Sequence, residues 1–240
     1  MRCLSSLKLV LVSIFFAMTV SACATNRSVI TVAAPTGEQP QSNHFAKITE
    51  VRDLRQFSVN PRDPSQPSLG SEDEIRDTKI TGRAVGRKRN GYGMALGDVA
   101  VQETTSVAGL VRDAARKALQ DRGYVVVEQN SPQYTEALPL TLDVQQFWTW
   151  ISLGMFEGTF TFDATVGMSG NGLLATNPTS VKSQTVVTSM AGTDAIWTRT
   201  VQTGLNDLAE KIKAQIKSPT GPAGVSQLDG TDPAAANLGF

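Results

Sequence analysis

Two segments of the chain carry apolar residues at every third or fourth position, the spacing that places them on one face of a helix. The first segment runs from Val107 to Leu119. Gly123 follows it, and glycine readily takes the left-handed conformation that ends many helices. The second segment runs from Trp197 to Ile216 and stops before Pro219. We therefore predict two amphipathic helices.

Other segments alternate apolar and polar residues, which is typical of strands with one buried face. The alternation is clearest over 138–144 and 159–168. Weaker strand patterns occur at 29–32, 45–51, 80–86, 94–101, 124–127 and 183–190. Asn90 and Gly91 favour a tight hairpin turn between two of these strands. Strands in runs with only two helices predict an α+β fold: a single mixed, mostly antiparallel sheet with both amphipathic helices packed on one face.

An aromatic segment, 147–156, continues the alternation of the strand at 138–144. Extending that alternation places Trp148 and Trp150 on the core face. The same extension places three apolar residues on the opposite, otherwise polar face: Phe147, Ile151 and Leu153. A face that turns from polar to apolar indicates a surface for a partner. The alternative is that a Pro-rich loop at 52–77, or the N-terminal tether, covers this face.

The N-terminus has the pattern of an export signal. Arg2 and Lys8 precede an apolar run from Leu9 to Val20. A dozen helical residues span roughly 18 Å, well short of the ~30 Å hydrocarbon core of a membrane. The run ends in Val20-Ser21-Ala22-Cys23, which resembles the lipobox of bacterial lipoproteins. We predict that residues 1–22 are a signal peptide and that Cys23 becomes the acylated first residue.

Two other interpretations of this region remain. Ala22 and Ala24 also form an A-x-A pattern, which would give an unlipidated periplasmic protein, and the apolar run could remain as an uncleaved anchor. If Cys23 is acylated, two or three chains hold the protein stably on a membrane. Ala24 stands where an Asp would suggest retention in the inner membrane. In a Gram-negative host we therefore expect the outer membrane, with the domain in the periplasm.

The remaining sequence divides into three parts. We predict a lipidated tether over 23–43, an α+β domain over 44–218 and a disordered tail over 219–240, since the tail has almost no apolar periodicity. Loss of Arg2 and Lys8 with the signal lowers the 22 basic residues to 20 against 22 acidic ones, a net charge of about −2. This balance lacks the basic footprint of a nucleic-acid-binding protein.

No residue pattern in the sequence predicts catalysis. His44 is the single histidine and has no Cys or Asp pattern around it, so we expect neither a metal site nor a catalytic triad. Asp143, Glu157 and Asp163 could in principle pair for acid–base work, but lone carboxylates are normal on polar strand faces. No G-x-S-x-G motif occurs. We predict no enzyme activity, no cofactor and no metal.

Three consecutive basic residues, Arg87, Lys88 and Arg89, precede the predicted hairpin turn. Such a cluster could touch lipid phosphates or an acidic partner. The alternative is that the three charges are simply solvated at the tip of the hairpin.

Several features, in this order, resemble the YajG-type outer-membrane lipoproteins. They are the lipobox, Val51-x-Asp53-x-Arg55 after a strand, a Gly-rich basic hairpin at 86–93, and Ala118-Leu119 leading into Arg122-Gly123-Tyr124-Val125, followed by a strand hairpin and a long terminal helix. The resemblance covers roughly 28–218. It implies an envelope lipoprotein of α+β fold without a known activity.

The sequence therefore predicts a non-enzymatic, lipid-anchored accessory protein that contacts another component of the cell envelope, with an envelope protein as the expected partner. The alternative is a lipid-handling auxiliary subunit of an envelope transport system. That alternative requires an apolar cavity between the sheet and the helices.

Overall fold

The alternating segments form one eight-stranded sheet in the computed structural model, which describes residues 27–219. Its strands are β1 (Ser28–Ile30), β2 (Phe45–Asp53), β5 (Ala84–Arg89), β6 (Ala95–Val101), β7 (Val125–Val126), β8 (Leu138–Leu153), β9 (Gly158–Ser169) and β10 (Thr179–Ser189). A separate parallel pair is formed by β3 (Ser58–Val59) and β4 (Ser68–Leu69). The helices are α1 (Glu72–Arg76), α2 (Thr78–Thr81), α3 (Val107–Asp121) and α4 (Asp194–Gln215).

The long strand β8 organises the sheet. Along one edge it pairs antiparallel with β9, which pairs antiparallel with β10. Along its other edge it pairs first with β2 and then with β5, both parallel. Strands β6 and β1 extend the sheet beyond β5, and β7 lies beside β2. The predicted α+β class and mixed sheet are confirmed. Four of the seven strand pairings in the sheet are parallel, although the three antiparallel pairings contain most of the paired residues.

The two long helices form where the apolar periodicity predicts them. Ser106 caps α3 by accepting a hydrogen bond from the Gly109 amide at 3.0 Å, and Gly123 has a φ of 94° after its end. The buried faces of α3 and α4 share one hydrophobic cluster, the main core, with the inward residues of β2, β8, β9 and β10. Its largest members are Phe147, Phe160, Phe162 and Trp197. No helix within 27–219 is long and apolar enough to cross a membrane.

The N-terminal stretch belongs to the domain. Strand β1 pairs with β6, and Val32 is buried in the main core. The Ala33 amide donates to Gln202 Oε1 at 2.8 Å, and the Gln202 amide returns a bond to the Ala33 carbonyl at 3.0 Å. The stretch from Ser28 to Ala33 is therefore packed on the domain, as the strand pattern at 29–32 predicted, and is not a free part of the predicted tether over 23–43. The predicted signal peptide, Cys23 and residues 220–240 lie outside the described residues.

The segment 55–83 leaves the sheet between β2 and β5 and returns over the face opposite the helices. We call it the outer segment. The prolines and polar residues of 52–77 predict a loop, but the segment contains β3, β4, α1 and α2. Four of its apolar residues form a second cluster with Ala84 of β5 and with Trp148 and Trp150 of β8: Phe57, Leu69, Ile75 and Ile80. A polar, Pro-rich sequence can cover a sheet face because a few apolar residues suffice to bury Trp148 and partly bury Trp150.

A β-bulge in β8 reverses the predicted faces of the aromatic segment. The pairing of β8 with β9 shifts between Val144 and Gln146, which inserts one extra residue. Because strand side chains alternate with a period of two, one inserted residue moves every later side chain to the other face. Phe147 therefore lies in the main core, 4.8 Å from Phe162 between ring centroids, and Trp148 lies under the outer segment. Trp148 is buried, as predicted, but on the opposite face.

Candidate functional site

Two hairpins project from the same end of the sheet. Strand β5 runs parallel to β8 with Gly86 opposite Thr149, so the turn after β5 and the turn after β8 point the same way. Strand β10 ends with Ser189 opposite Gly158, which brings Met190 to this end as well. We call this end of the molecule the hairpin end.

The hairpin end gathers exposed apolar side chains. Tyr92 is 91% exposed, Met155 89%, Phe156 83% and Met190 89%. Together with the less exposed Met94, Leu96 and Leu153, they make up seven of the eleven large exposed apolar residues of the described chain. We call these seven residues the tip cluster. Concentration of such residues at one end is typical of interaction surfaces, since single exposed apolar residues are normally scattered.

The chain also enters the domain from the hairpin end. Strand β1 runs parallel to β6 with Ser28 opposite Val99, and the Arg27 guanidinium lies 3.3 Å from Asp98. The first residues of β1 therefore lie toward the β5–β6 turn. Val99 lies four residues into β6 from Ala95, about 13 Å along a strand. Cys23 precedes Ser28 by five residues, a reach of at most about 17 Å. Cys23 can thus reach the level of the hairpin tips.

The predicted partner surface of Phe147, Ile151 and Leu153 does not form. Phe147 is fully buried and Ile151 is half-buried against the main core, because the bulge turns both toward the helices. Only Leu153, 52% exposed, lies on the surface, as part of the tip cluster. Sequence reasoning missed Met155 and Phe156 as exposed residues. Their place next to Gly154, between two strongly alternating strands, was a signal that they occupy a turn.

The three basic residues before the first hairpin turn separate onto two faces of β5. Lys88 points to the helix side, where it donates to Ser28 Oγ and lies 3.2 Å from Asp194. Arg87 and Arg89 point to the side of the outer segment. Arg89 donates to the Pro61 carbonyl at 3.0 Å. The three side chains therefore form neither one continuous anionic contact nor a fully solvated tip, because strand geometry divides them and neighbouring elements partly cover them. A contact of Arg87 and Arg89 with an anion stays a prediction.

Arg87 and Arg89 line a cavity of about 640 Å³ between the β5–β6 hairpin and the outer segment. We call it the arginine pocket. Arg62 supplies a third guanidinium, and Asn60, Tyr92 and Met94 also line the cavity. Burial lowers the pKa of Arg89, and repulsion from Arg87 lowers it further. The pocket therefore concentrates positive charge.

Beneath the pocket, Arg87 faces a buried carboxylate. Its Nε lies 3.7 Å from Asp98 Oδ1, which is too long for a hydrogen bond. Neither Nε nor Nη1 of Arg87 has a hydrogen-bond partner among the described residues. Burial raises the pKa of Asp98, an effect that the charges of Arg87 and Arg27 oppose.

The Asp53-x-Arg55 motif has a structural position. Arg55 lies where β8 changes its partner from β2 to β5, and its side chain is fully buried. It forms a two-pronged ion pair with Asp53 at 2.8 and 2.7 Å. Its remaining N–H groups donate to three backbone carbonyls: those of Thr81, Ala84 and Phe147. All five guanidinium hydrogens are therefore used within the fold.

The other polar residues considered for chemistry are dispersed. Asp143 forms an ion pair with Arg52 at 2.6 Å, and Asp163 forms one with Lys182 at 3.2 Å. Glu157 is exposed in the β8–β9 turn, and His44 immediately precedes β2. Within 27–219, no three His, Cys, Asp or Glu residues are grouped so that they could hold a metal ion.

No family model matches the chain, and no curated protein matches it. Among solved structures, protein XCC0632 from Xanthomonas campestris, described with the family model DUF330, is 13% identical with a TM-score of 0.41, over 78% of this chain and 92% of that one. An uncharacterized protein is 9% identical with a TM-score of 0.36, over 78% and 96%. A minor lipoprotein from Acinetobacter baumannii is 13% identical with a TM-score of 0.31, over 45% and 87%.

Proposed function

We propose that this protein is a lipid-anchored, non-catalytic accessory protein of the cell envelope whose hairpin end rests on the membrane that carries its anchor. One observation carries the proposal: the tip cluster and the entry of the chain lie at the same end of the sheet. An acylated Cys23 would hold the domain close to lipid, and the end nearest that lipid is the one that exposes apolar side chains.

The tip cluster suits the interfacial region of a bilayer. Aromatic residues favour the level of the lipid headgroups, where Tyr92 and Phe156 could bury their rings. Each buried methylene contributes about 0.8 kcal/mol. The two hairpins carry these residues on turns, so they can enter the interface without any rearrangement of the sheet.

Local charge supports the same orientation. Arg62 and Arg89 lie beside the tip cluster, at the pocket that Tyr92 and Met94 also line. A basic side chain near an anionic lipid surface contributes about 1 kcal/mol. The overall charge of the mature chain is close to neutral, so this attraction depends on where the arginines lie and not on the total charge.

This orientation leaves the opposite end of the sheet, with the turn between β9 and β10, directed into the periplasm. A second envelope component, with a protein as our first expectation, would bind there or along the exposed edge of β10. The outer membrane is the proposed location, on the grounds that Ala24 follows Cys23.

The alternative of a lipid-handling subunit required an apolar cavity between the sheet and the helices. Within 27–219 the buried residues of the sheet and of α3 and α4 belong to one hydrophobic cluster. This packing favours the accessory role over the alternative.

Depth-dependent fluorescence tests the proposal. The lipidated protein is reconstituted in vesicles of phosphatidylethanolamine and phosphatidylglycerol, with a polarity-sensitive dye on Phe156→Cys. The matched control carries the dye on Asn171→Cys, an exposed turn position at the opposite end. We expect a blue shift and quenching by spin-labelled lipid at position 156 and neither at 171.

Equal emission and equal quenching at the two positions would contradict the proposed orientation. A separate control tests the anchor itself: labelled palmitate should enter the wild-type protein and not Cys23→Ser. Incorporation of labelled palmitate into the Cys23→Ser protein would show that Cys23 is not the lipidated residue.

A further inference from the structure

We propose that the arginine pocket is a binding site for a phosphate group, either in a phospholipid headgroup or in a soluble phosphate compound. The site goes beyond the proposed membrane contact, because it is defined by the cavity and its guanidinium groups whether or not the hairpin end touches lipid.

Charge is the first argument. Three arginines and no carboxylate line the cavity. Asp63, next to Arg62, is the carboxylate whose field reaches Arg89, but it is held by hydrogen bonds to Ser65. No carboxylate of the described residues lies within 4.0 Å of a nitrogen of Arg62 or Arg89. Arg62 and Arg89 therefore carry positive charge that no ion pair among the described residues neutralises, whereas Arg87 faces Asp98.

The second argument concerns the burial and the hydrogen bonds of the Arg87 guanidinium. Its side chain is 7% exposed, yet Nε and Nη1 make no hydrogen bond. Nη2 reaches Asn60 Oδ1 at 3.4 Å, and Asp98 is shared with Arg27. Both nitrogens are enclosed by protein, so Arg87 contributes its charge to the pocket and not a hydrogen bond from Nε or Nη1.

Geometry favours phosphate over a smaller anion. Arginine presents a planar fork that matches two phosphate oxygens at once. Arg89 already donates to the carbonyls of Pro61 and Gly93 and to Ser68 Oγ, so its position is fixed before any ligand arrives. The volume of about 640 Å³ exceeds the size of one phosphate and falls within the range of ligand pockets. It has room for an attached glycerol or sugar, with Tyr92 and Met94 at the rim.

Calorimetric titration of the full lipidated protein in a phosphate-free maltoside detergent tests the site. The probes are inorganic phosphate and dihexanoyl phosphatidylglycerol, with dihexanoylglycerol as the phosphate-free comparison. We expect binding of one or both phosphate probes and none of dihexanoylglycerol. Binding of the lipid probe alone assigns the site to headgroups, and binding of inorganic phosphate assigns it to soluble phosphates as well.

Four variants test the contributions of individual arginines. Arg62→Gln and Arg89→Gln should each weaken binding about tenfold, as expected when one charge-assisted hydrogen bond is lost. Arg199→Gln removes the same charge from an exposed position on α4 and should leave the affinity unchanged. Arg87→Gln is added with a melting curve, because this buried residue also faces Asp98.

Three results would overturn the site: no binding of either phosphate probe at millimolar concentration, unchanged affinity in both Arg62→Gln and Arg89→Gln, or an equal loss in Arg199→Gln. None of these results bears on the dye measurements at positions 156 and 171, so the pocket and the membrane contact can fail separately.

Discussion

At the scale of single residues, Arg55 shows how one charged side chain can hold two halves of a sheet. The strand β8 must exchange one parallel neighbour for another, and the exchange leaves carbonyl groups without strand partners. Arg55 donates to the carbonyls of Ala84 and Phe147 on the two strands that meet there. Asp53 neutralises its charge from two residues away. The motif that resembles an envelope family is thus part of the fold's framework.

Replacing Arg55 with Met should destabilise the domain by about 3–5 kcal/mol, because removal of one partner leaves a partly buried Asp53 and several carbonyls unpaired. Arg52→Met is the matched control, since Arg52 forms a similar two-pronged pair with Asp143 on the surface. We expect only a small change there. Denaturant unfolding measures both. Similar midpoints for the two variants would show that the junction does not depend on Arg55.

Asp194 on α4 bonds to Ser28 on β1 and to Lys88 on β5, so its ionisation makes the contact between these three elements depend on pH. The hydrogen bond from Ser28 is the main cause that lowers the pKa of Asp194, and Lys88 lowers it further. A carboxyl group whose pKa is lower in the folded state stabilises the fold above its unfolded pKa and loses that contribution as the pH falls through the folded value.

The stability difference between wild type and Asp194→Asn should therefore be largest at neutral pH and shrink as the pH falls below the ordinary value of 3.8. Denaturant unfolding at a series of pH values measures it. A difference that stays constant down to pH 2 would exclude this linkage. Ser28→Ala, which removes the main cause of the shift, should show a smaller dependence on pH.

At the scale of secondary-structure elements, close contact between α4 and β9 depends on a glycine. A Cβ at Gly204 would lie 2.0 Å from Cδ1 of Phe162. The Gly204 carbonyl also accepts a hydrogen bond from Ser183 on β10 at 3.0 Å. The helix can approach the sheet this closely only because the position has no side chain.

Gly204→Ala should therefore destabilise the domain, although the same change in an exposed helix stabilises it by about 1 kcal/mol. Overpacking of this kind typically costs about 1–3 kcal/mol. Phe162→Leu should recover part of the loss when combined with Gly204→Ala, and the double-mutant cycle measures that coupling. A stabilised Gly204→Ala, or additive effects in the cycle, would show that the helix has room to move.

At the scale of the whole molecule, the sheet places two separate hairpins and the chain's entry at one end. Neither hairpin alone would make a membrane-facing surface. Met155 and Phe156 come from one turn, and Tyr92 comes from another more than sixty residues away. The parallel pairing of β5 with β8 is what brings them to the same level.

A paired substitution, Met155→Asp with Phe156→Asp, should reduce contact of the hairpin end with the membrane and leave the melting temperature nearly unchanged. Both residues are exposed, and surface changes usually stay within about ±0.5 kcal/mol. The measurement is quenching, by spin-labelled lipid, of a dye on Tyr92→Cys. Leu54→Asp, an exposed apolar residue outside the tip cluster, is the control and should retain full quenching.

Local patterns in the sequence were enough to predict several elements of this protein. The helices α3 and α4, the alternation in β8 and β9, and the hairpin between β5 and β6 all arise from residues close together in the chain, where period and turn chemistry act directly. The turn of that hairpin is longer than the predicted tight turn at Asn90-Gly91, and its left-handed residue is Gly93. The lipobox at Cys23 is equally local, and lipidation there stays a prediction. The arginines were recognised as a basic cluster, but their division between two faces was not.

The tertiary structure alone decided the faces of the aromatic segment and the place of the candidate sites. A single bulge at Gln145 reversed the exposure of Phe147 and the side of Trp148, because no sequence pattern announces one extra residue in a strand. The arginine pocket and the hairpin end both depend on pairings between distant segments. Such pairings are chosen by how the whole sheet buries its two apolar faces, and no local window of sequence contains that information.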